Sequence, residues 1–251
     1  MGMIYRIRNF FSLLRSKTQL EPVSVNHLAL IMDGNRRWAQ KRNLIAALGH
    51  KRGTDTVREI IEFCLEHKIG IVSVYTFSLE NFNRPQEEIQ ALFELMIQKT
   101  PETLPDLIKN GVKVSFIGDK DYFPSHIVST IEHIENSTKE LNKLQFNMLF
   151  CYGGRQEIVA AMKSIIQDVK SGALQDPLTN KIFETYLWSS NLPDPDLIIR
   201  TGGVKRLSNF LLYKAAYSEL YFTDRLWPDL TKKDLEEALQ DFSMRKRNYG
   251  I

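Results

Sequence analysis

From residue 27 onward, short β-rich runs alternate with longer stretches whose apolar positions recur every three or four residues. The runs at 27–32, 71–77, 112–117 and 146–151 are short and rich in strand-forming residues and read as strands, the first of them a buried one. Between the first two, residues 51–67 place Val57, Ile60, Ile61, Cys64 and Leu65 on one helical face. Residues 86–109 also read as helix, with a break or kink expected at Pro101 and Pro105. Another helical stretch runs through Ile127, Ile131 and Ile134, and Gly153-Gly154 leads into a helix over 156–169. Residues 176–195 are the most irregular. A short fifth strand at 197–199, a helix near 210–216, a sixth strand at 220–222 and a final helix from Thr231 complete the pattern.

Alternating strand and helix implies parallel strands joined by right-handed crossovers, with helices on both faces. The expected fold class is α/β: one domain with a mainly parallel central sheet of about six strands flanked by helices. No repeat or low-complexity linker divides it. The expected division is an amphipathic N-terminal extension at 1–22 followed by a single domain at 23–251.

Length and composition narrow the function classes. A chain of 251 residues is near the upper limit for one hydrophobic core. No apolar run approaches the ~20 residues of a membrane-spanning helix. The formal charge is +3, but Arg6, Arg8, Arg15 and Lys17 supply +4 within the first twenty residues, leaving the rest at −1. Such a body is not the footprint of a duplex nucleic-acid binder. In that basic segment Ile4, Ile7, Phe11 and Leu14 share one helical face, a pattern suited to packing on the domain or lying on an anionic membrane surface. Cys64 and Cys151 are isolated from each other and have no metal-knuckle spacing, as expected of buried thiols in a reducing cytoplasm.

Three predicted strand ends carry dense polar clusters: Asp33-Gly34-Asn35-Arg36-Arg37-Trp38 after the first, Ser78-Leu79-Glu80-Asn81-Phe82-Asn83-Arg84-Pro85 after the second, and Arg200 to Asn209 after the fifth. Ligands of open parallel sheets bind beyond the carboxyl ends of the strands. Arg36, Arg37, Arg84, Arg200 and Arg206 offer forked donors for phosphate oxygens, and Gly34, Gly202 and Gly203 let backbone amides approach an anion. Asp33 is the one acid among these cations, placed to hold a hard cation such as Mg2+. The combination suits a polyphosphate ester. None of the common nucleotide, zinc-hydrolase or nucleophile-elbow motifs is present, nor is an Asp-rich D-D-x-x-D box.

These loops resemble the signatures of the cis-prenyltransferases. The segment from His27 through Asp33-Gly-Asn-Arg-Arg-Trp38 to Gly49-His50-Lys51-Arg-Gly53 resembles the first, and Tyr75-Thr-Phe-Ser78-Leu-Glu80-Asn81-Phe-Asn-Arg84-Pro85 the second. Asp196 to Phe210, continuing through Glu219 to Asp229, resembles the last, so the likeness spans roughly residues 27 to 250. It implies a homodimeric, Mg2+-dependent transferase that condenses isopentenyl diphosphate onto an allylic diphosphate, farnesyl or geranyl, with cis geometry. The polyprenyl diphosphate formed would be the lipid-carrier precursor for cell-wall synthesis. The expected location is the cytoplasm, with peripheral contact to the inner face of the membrane through residues 1–20. Carried over by position, Asp33 would hold the metal and help the allylic C–O bond ionise, and Asn81 would lie near the reacting carbons and assist proton removal. Gly34, Asn35, Arg36, Arg37, Trp38, His50, Ser78, Glu80, Phe82 and Arg84 would form the allylic site. Arg200, Arg206 and Ser208 would grip isopentenyl diphosphate. Glu219 would complete the metal site, from the partner subunit if not from its own.

The chain departs from the pattern in several places. Arg36 stands where the family usually has Gly, Ala46 where many members have an Arg, and Val204 where Glu is frequent; Arg36 is expected to supply the cation missing at 46. The run Met148-Leu149-Phe150-Cys151 is bulky for a tunnel wall, which points to a product shorter than undecaprenyl. Two alternatives remain open: an irregular single condensation of five-carbon diphosphates, and a catalytically silent subunit. Retention of Asp33 and the arginines weighs against the second.

Overall fold

A computed structural model describes residues 25–246. Along them run β1 (His27–Ile31), α1 (Asn35–Gln40), α2 (Ala46–Glu66), β2 (Ile71–Ser78), α3 (Gln86–Lys109), β3 (Val112–Ile117), α4 (Ser125–Thr138), β4 (Leu144–Tyr152), α5 (Gly154–Ser171), α6 (Asn180–Thr185), β5 (Leu197–Arg200), β6 (Glu219–Phe222) and α7 (Lys232–Met244). The strands form one sheet in the order β3-β4-β2-β1-β5-β6, with every neighbouring pair parallel. The basic amphipathic segment at 1–20 lies outside the described residues. No described helix is long and apolar enough to cross a membrane.

The apolar continuity of the strands has a simple cause: both faces are covered. Leu28 and Leu30 of β1 enter one core, with α2, α3, α4 and α7, while Ala29 and Ile31 enter a second core with Leu149, Tyr152, Ile198, Phe210 and Leu211. The period of two therefore separates neighbours onto opposite faces without exposing either. Both thiols, Cys64 and Cys151, are free and buried, and burial pushes each up to about 12.

Two expectations are corrected. Residues 86–109 form one helix that continues through Pro101 and Pro105. Each proline removes a backbone donor, and threonine hydroxyls add hydrogen bonds across the same turns: Thr100 to the Met96 carbonyl at 2.8 Å and Thr103 to the Lys99 carbonyl at 2.9 Å. Buried Ile89, Phe93 and Leu104 anchor the helix on the core. Residues 210–216, in contrast, are turns rather than helix. Ser208, Asn209 and Leu211 adopt positive φ (51°, 67° and 41°), which a right-handed helix cannot continue through. Tertiary burial of Phe210 and Leu211 holds that conformation.

A buried polar chain ties the three central strands together. Asn147 Nδ2 donates to Ser73 Oγ at 3.2 Å, and Ser73 Oγ lies 2.8 Å from His27 Nε2. His27 Nδ1 lies 2.8 Å from the Pro193 carbonyl; a carbonyl only accepts, so Nδ1 carries the proton and Nε2 accepts from Ser73. Burial lowers the His27 imidazole to about 4 from the usual 6.5. Below 6.5 the unfolded chain takes up a proton that the folded chain refuses until about 4, so stability falls as pH drops through that window. The His27 contribution is about 3 kcal/mol. Denaturant melts from pH 7 to 4 are expected to show a shallower loss in His27→Gln than in the wild type; equal slopes would contradict this.

Candidate active site

Because β1 is flanked by β2 on one side and β5 on the other, the three polar loops leave adjacent strands at one edge of the sheet. Asp33 sits at their junction. Its Oδ1 accepts from Arg37 Nη2 at 3.0 Å and its Oδ2 from Arg200 Nη2 at 2.9 Å. Its backbone is pinned by Thr201, whose Oγ1 accepts from the Asp33 amide at 3.0 Å and donates to the Asp33 carbonyl at 2.7 Å. Arg37 also donates to the Gly202 carbonyl at 2.6 Å. Gly202 has φ +84°, and a Cβ there would run into the Arg37 guanidinium, so this junction requires glycine.

The arginine from β5 organises the other side. Arg200, only 5% exposed, donates through Nη1 to the Arg206 carbonyl and to Ser208 Oγ, both at 2.6 Å. Arg206 Nε donates to the same Ser208 oxygen at 3.2 Å. In the β2 loop, Ser78 and Asn81 cap each other: Asn81 Oδ1 accepts from the Ser78 amide at 3.2 Å, and the Ser78 hydroxyl accepts in return from the Asn81 amide.

Two cavities open onto this junction. The smaller, about 320 Å³, is lined by Asp33, Gly34, Asn35, Arg36, Arg37, His50 and Arg84 together with Met32 and Gln40. Burial, and then the Arg84 guanidinium, lower the His50 imidazole to about 4, so it is neutral near pH 7. The larger, about 930 Å³, shares Asp33, Asn35, His50 and Arg84 and adds Ser78, Asn81, Arg200, Arg206 and Ser208. It continues between α2 and α3 along two helical stripes: Val57, Ile61 and Leu65 on α2 face Leu92, Met96, Thr103 and Leu107 on α3. Spacings of four and seven residues keep each stripe on one side of its helix. From the sheet come Thr76, Phe116, Phe146, Met148 and Phe150, the β4 residues alternating with Leu149, which belongs to the opposite core. A cationic head site thus opens into a long, mostly apolar bore.

Not every expected residue reaches it. Trp38, Glu80 and Phe82 line neither cavity. Trp38 donates through Nε1 to Asp229 at 2.7 Å and carries the Arg42 guanidinium 4.2 Å above its ring, so it fixes α1 from outside. Glu80 accepts from Asn209 Nδ2 at 2.7 Å and braces the second loop against the third. Phe82 packs edge-on against Phe77, ring centres 5.0 Å apart. Glu219 is the clearest displacement. It pairs with Leu197 at the start of β5, at the opposite end of the strands from Asp33, and accepts from Arg245 at 2.7 Å. Within one chain it cannot share a metal with Asp33.

Sequence reasoning missed Thr201, Trp227 and Glu88. Thr201 stands inside the motif it supports. Trp227 walls the bore and donates to the Gly53 carbonyl at 2.9 Å. Glu88 gives no local signal beyond its i, i+4 relation to Arg84.

The donor set bears on the metal. Among the described residues no three His, Cys, Asp or Glu side chains gather as a metal site. Asp33 is a lone half-buried carboxylate facing both cavities, each oxygen holding one arginine and keeping a further lone pair. Mg2+ is commonly bound by one or two carboxylates together with substrate phosphates and waters. The residues therefore fit a Mg2+ that arrives with a diphosphate.

Comparison with known proteins gives a consistent picture. The family model "Putative undecaprenyl diphosphate synthase" matches residues 31–250. An isoprenyl transferase of Aquifex aeolicus is 45% identical over 224 residues, 89% of this chain and 95% of the relative. A Buchnera aphidicola ditrans,polycis-undecaprenyl-diphosphate synthase specific for (2E,6E)-farnesyl diphosphate is 42% identical over 95% of this chain and 96% of its own. The crystal structure of lavandulyl diphosphate synthase from Lavandula x intermedia, in complex with dimethylallyl diphosphate, superposes with a TM-score of 0.87 at 32% identity, covering 91% of this chain and 99% of that one.

Proposed function

The chain belongs to the undecaprenyl diphosphate synthase family, and on that premise we propose the division of labour in its site and the conditions under which it works. The reaction is condensation of isopentenyl diphosphate onto an allylic diphosphate to build a polyprenyl diphosphate. One observation carries the reading: cationic head sites for two diphosphates meet at the mouth of one apolar bore.

The allylic diphosphate lies in the smaller cavity against Arg36, Arg37, Arg84 and the α1 amides, with its hydrocarbon tail between α2 and α3. Isopentenyl diphosphate is held by Arg206 and Ser208, which Arg200 orients. Asp33 would hold Mg2+ on a diphosphate, and the metal would neutralise charge on the leaving group. As the allylic C–O bond breaks, its electron pair leaves with the diphosphate, and the fixed arginines stabilise the charge that grows there. The isopentenyl double bond then forms the new C–C bond at the allylic carbon, and a proton is lost from the adjacent isopentenyl carbon. Asn81 Oδ1 already accepts the Ser78 amide and an amide oxygen is a poor base, so Asn81 positions the reacting carbons. The proton goes to the released diphosphate.

The active form is a homodimer. Val159, Met162, Ile166 and Val169 form an exposed apolar stripe on α5 at spacings of three, four and three, the pattern of a helix seam. A dimer also provides the route by which a partner's carboxylate, the counterpart of Glu219, would reach Asp33. Residues 1–20 would give the dimer peripheral contact with an anionic membrane, into which a long polyprenyl product must pass.

The direct test incubates the protein with labelled isopentenyl diphosphate, Mg2+ and farnesyl, geranyl or dimethylallyl diphosphate, and sizes the products by reversed-phase chromatography. A ladder of chains ending short of undecaprenyl is expected. A single ten-carbon product would replace elongation with an irregular condensation, and no product from any primer would point to a silent subunit. Arg36, with 52% of its side chain exposed, lines the allylic cavity, whereas Ala46 contributes no charge. Arg36→Gly is expected to raise the KM for the allylic substrate about tenfold while leaving that for isopentenyl diphosphate within twofold; an unchanged allylic KM would remove Arg36 from the site.

A further inference from the structure

Glu88 sits in the first turn of α3, its side chain 12% exposed, and two guanidiniums and a neutral imidazole, from three other segments, converge on its carboxylate. Arg84 Nη1 of the preceding turn lies 3.2 Å away; Arg36 Nη1 of α1 and His50 Nε2 of α2 each lie 3.7 Å away. These three groups also line the smaller cavity, whereas Glu88 stands behind them and lines neither cavity. Asp33 engages a different pair, Arg37 and Arg200. The cations around the allylic head site are therefore shared between two carboxylates. One faces the cavities, and the other is withdrawn from them.

We propose that Glu88 is an internal competitor of the allylic diphosphate for Arg36, Arg84 and His50. The proposal rests on the reading of the smaller cavity as the allylic head site. Without substrate, the carboxylate gathers the three groups and offsets the mutual repulsion of the two guanidiniums. A diphosphate entering the cavity draws them towards itself, so binding exchanges one anion for another and its net gain is reduced. The same exchange works in reverse after each condensation, when the inorganic diphosphate left behind must vacate the cavity for the extended chain. A carboxylate ready to retake the cations speeds that departure. Glu88 is thus a positioning residue that trades head-group affinity for turnover, and it never touches the reacting carbons.

Isothermal titration with inorganic pyrophosphate at fixed ionic strength tests this without turnover. Glu88→Gln keeps the shape and removes the charge, so it is expected to bind pyrophosphate on the order of tenfold more tightly. Glu87→Gln makes the same change in net charge at the exposed neighbouring position and is expected to stay within twofold of wild type. In steady state Glu88→Gln is expected to lower both kcat and the allylic KM, while its single-turnover rate is retained. Should Glu88→Gln fail to fold, Glu88→Asp is expected to tighten binding at least twofold, because its shorter arm withdraws the charge from the cations. Unchanged or weaker pyrophosphate binding in the variant that folds would make Glu88 a structural strut and overturn the proposal. A protein that binds pyrophosphate but elongates no primer would overturn the reaction and leave the competitor standing.

Discussion

Asp33→Ala is expected to lower kcat/KM for elongation by at least about 10³-fold, the size of loss seen when a charge-stabilising group is removed from a reacting centre. Asp33 alone joins the arginine that orients the second diphosphate to the one beside the first, through Arg200 at 2.9 Å and Arg37 at 3.0 Å. The same geometry predicts a structural cost. Arg200 is 5% exposed, and leaving such a cation unpaired costs about 3–5 kcal/mol. Asp33→Asn separates the two effects, since it keeps one acceptor for an arginine while losing the charge a metal needs. It is expected to melt closer to wild type yet remain as inactive as the alanine variant. Chelation of Mg2+ should silence the wild type and leave both variants unchanged. Activity of Asp33→Asn within tenfold of wild type would remove the carboxylate from the chemistry.

Phe150→Ala is expected to lengthen the product by at least one five-carbon unit. Phe150 projects from β4 into the bore, where its ring lies 5.2 Å from Phe123, 5.5 Å from Phe93, 5.8 Å from Phe77 and 6.3 Å from Phe116. Phe77, Phe116 and Phe150 of this aromatic cluster line the bore from the sheet, so removing one ring opens room for the tail. The variant should also lose about 3–5 kcal/mol of stability, the usual cost of deleting a buried phenyl group. Leu149→Ala is the control. Leu149 points into the opposite core, so its truncation should destabilise the protein while the chain-length distribution stays in place. An unaltered distribution in Phe150→Ala, with the protein folded, would move length control to another part of the bore.

Much of the fold was legible because burial leaves a local signature. Strands covered on both faces are apolar at most positions, as Leu28–Ile31 of β1 are, and helices covered on one face repeat every three or four residues, as α2 does. The signature fails where a distant contact overrides local preference. Pro101 and Pro105 argue for a break, yet α3 continues because its buried residues hold it to the core and threonine hydroxyls add bonds across the turns. Residues 210–216 have helical spacing, yet burial of Phe210 and Leu211 imposes turns.

The site divides in the same way. Asp33, the arginines and the glycines could be read from the loops because phosphate chemistry needs those residue types at strand ends. Where each side chain points could not. Trp38 lies in the same motif as Arg37 but is drawn outward by Asp229, 191 residues further along the chain. Glu219 looks from its motif like a ligand, yet the parallel register of β5 and β6 carries it to the far end of the sheet. Glu88 acquires its role only because α1, α2 and the turn before α3 bring two guanidiniums and an imidazole to one carboxylate.

By itself, then, the sequence determined the order of the six strands and of the long helices between them, their parallel sense, and the cationic chemistry of three strand ends, because each is encoded by neighbours along the chain. Tertiary structure alone decided that β1 lies between β2 and β5, that the apolar stripes of α2 and α3 face each other across a bore, and which carboxylate holds which arginine. Those outcomes depend on contacts between residues far apart in sequence. Their free energy comes from packing and charge pairing that exist only once the sheet has closed its order.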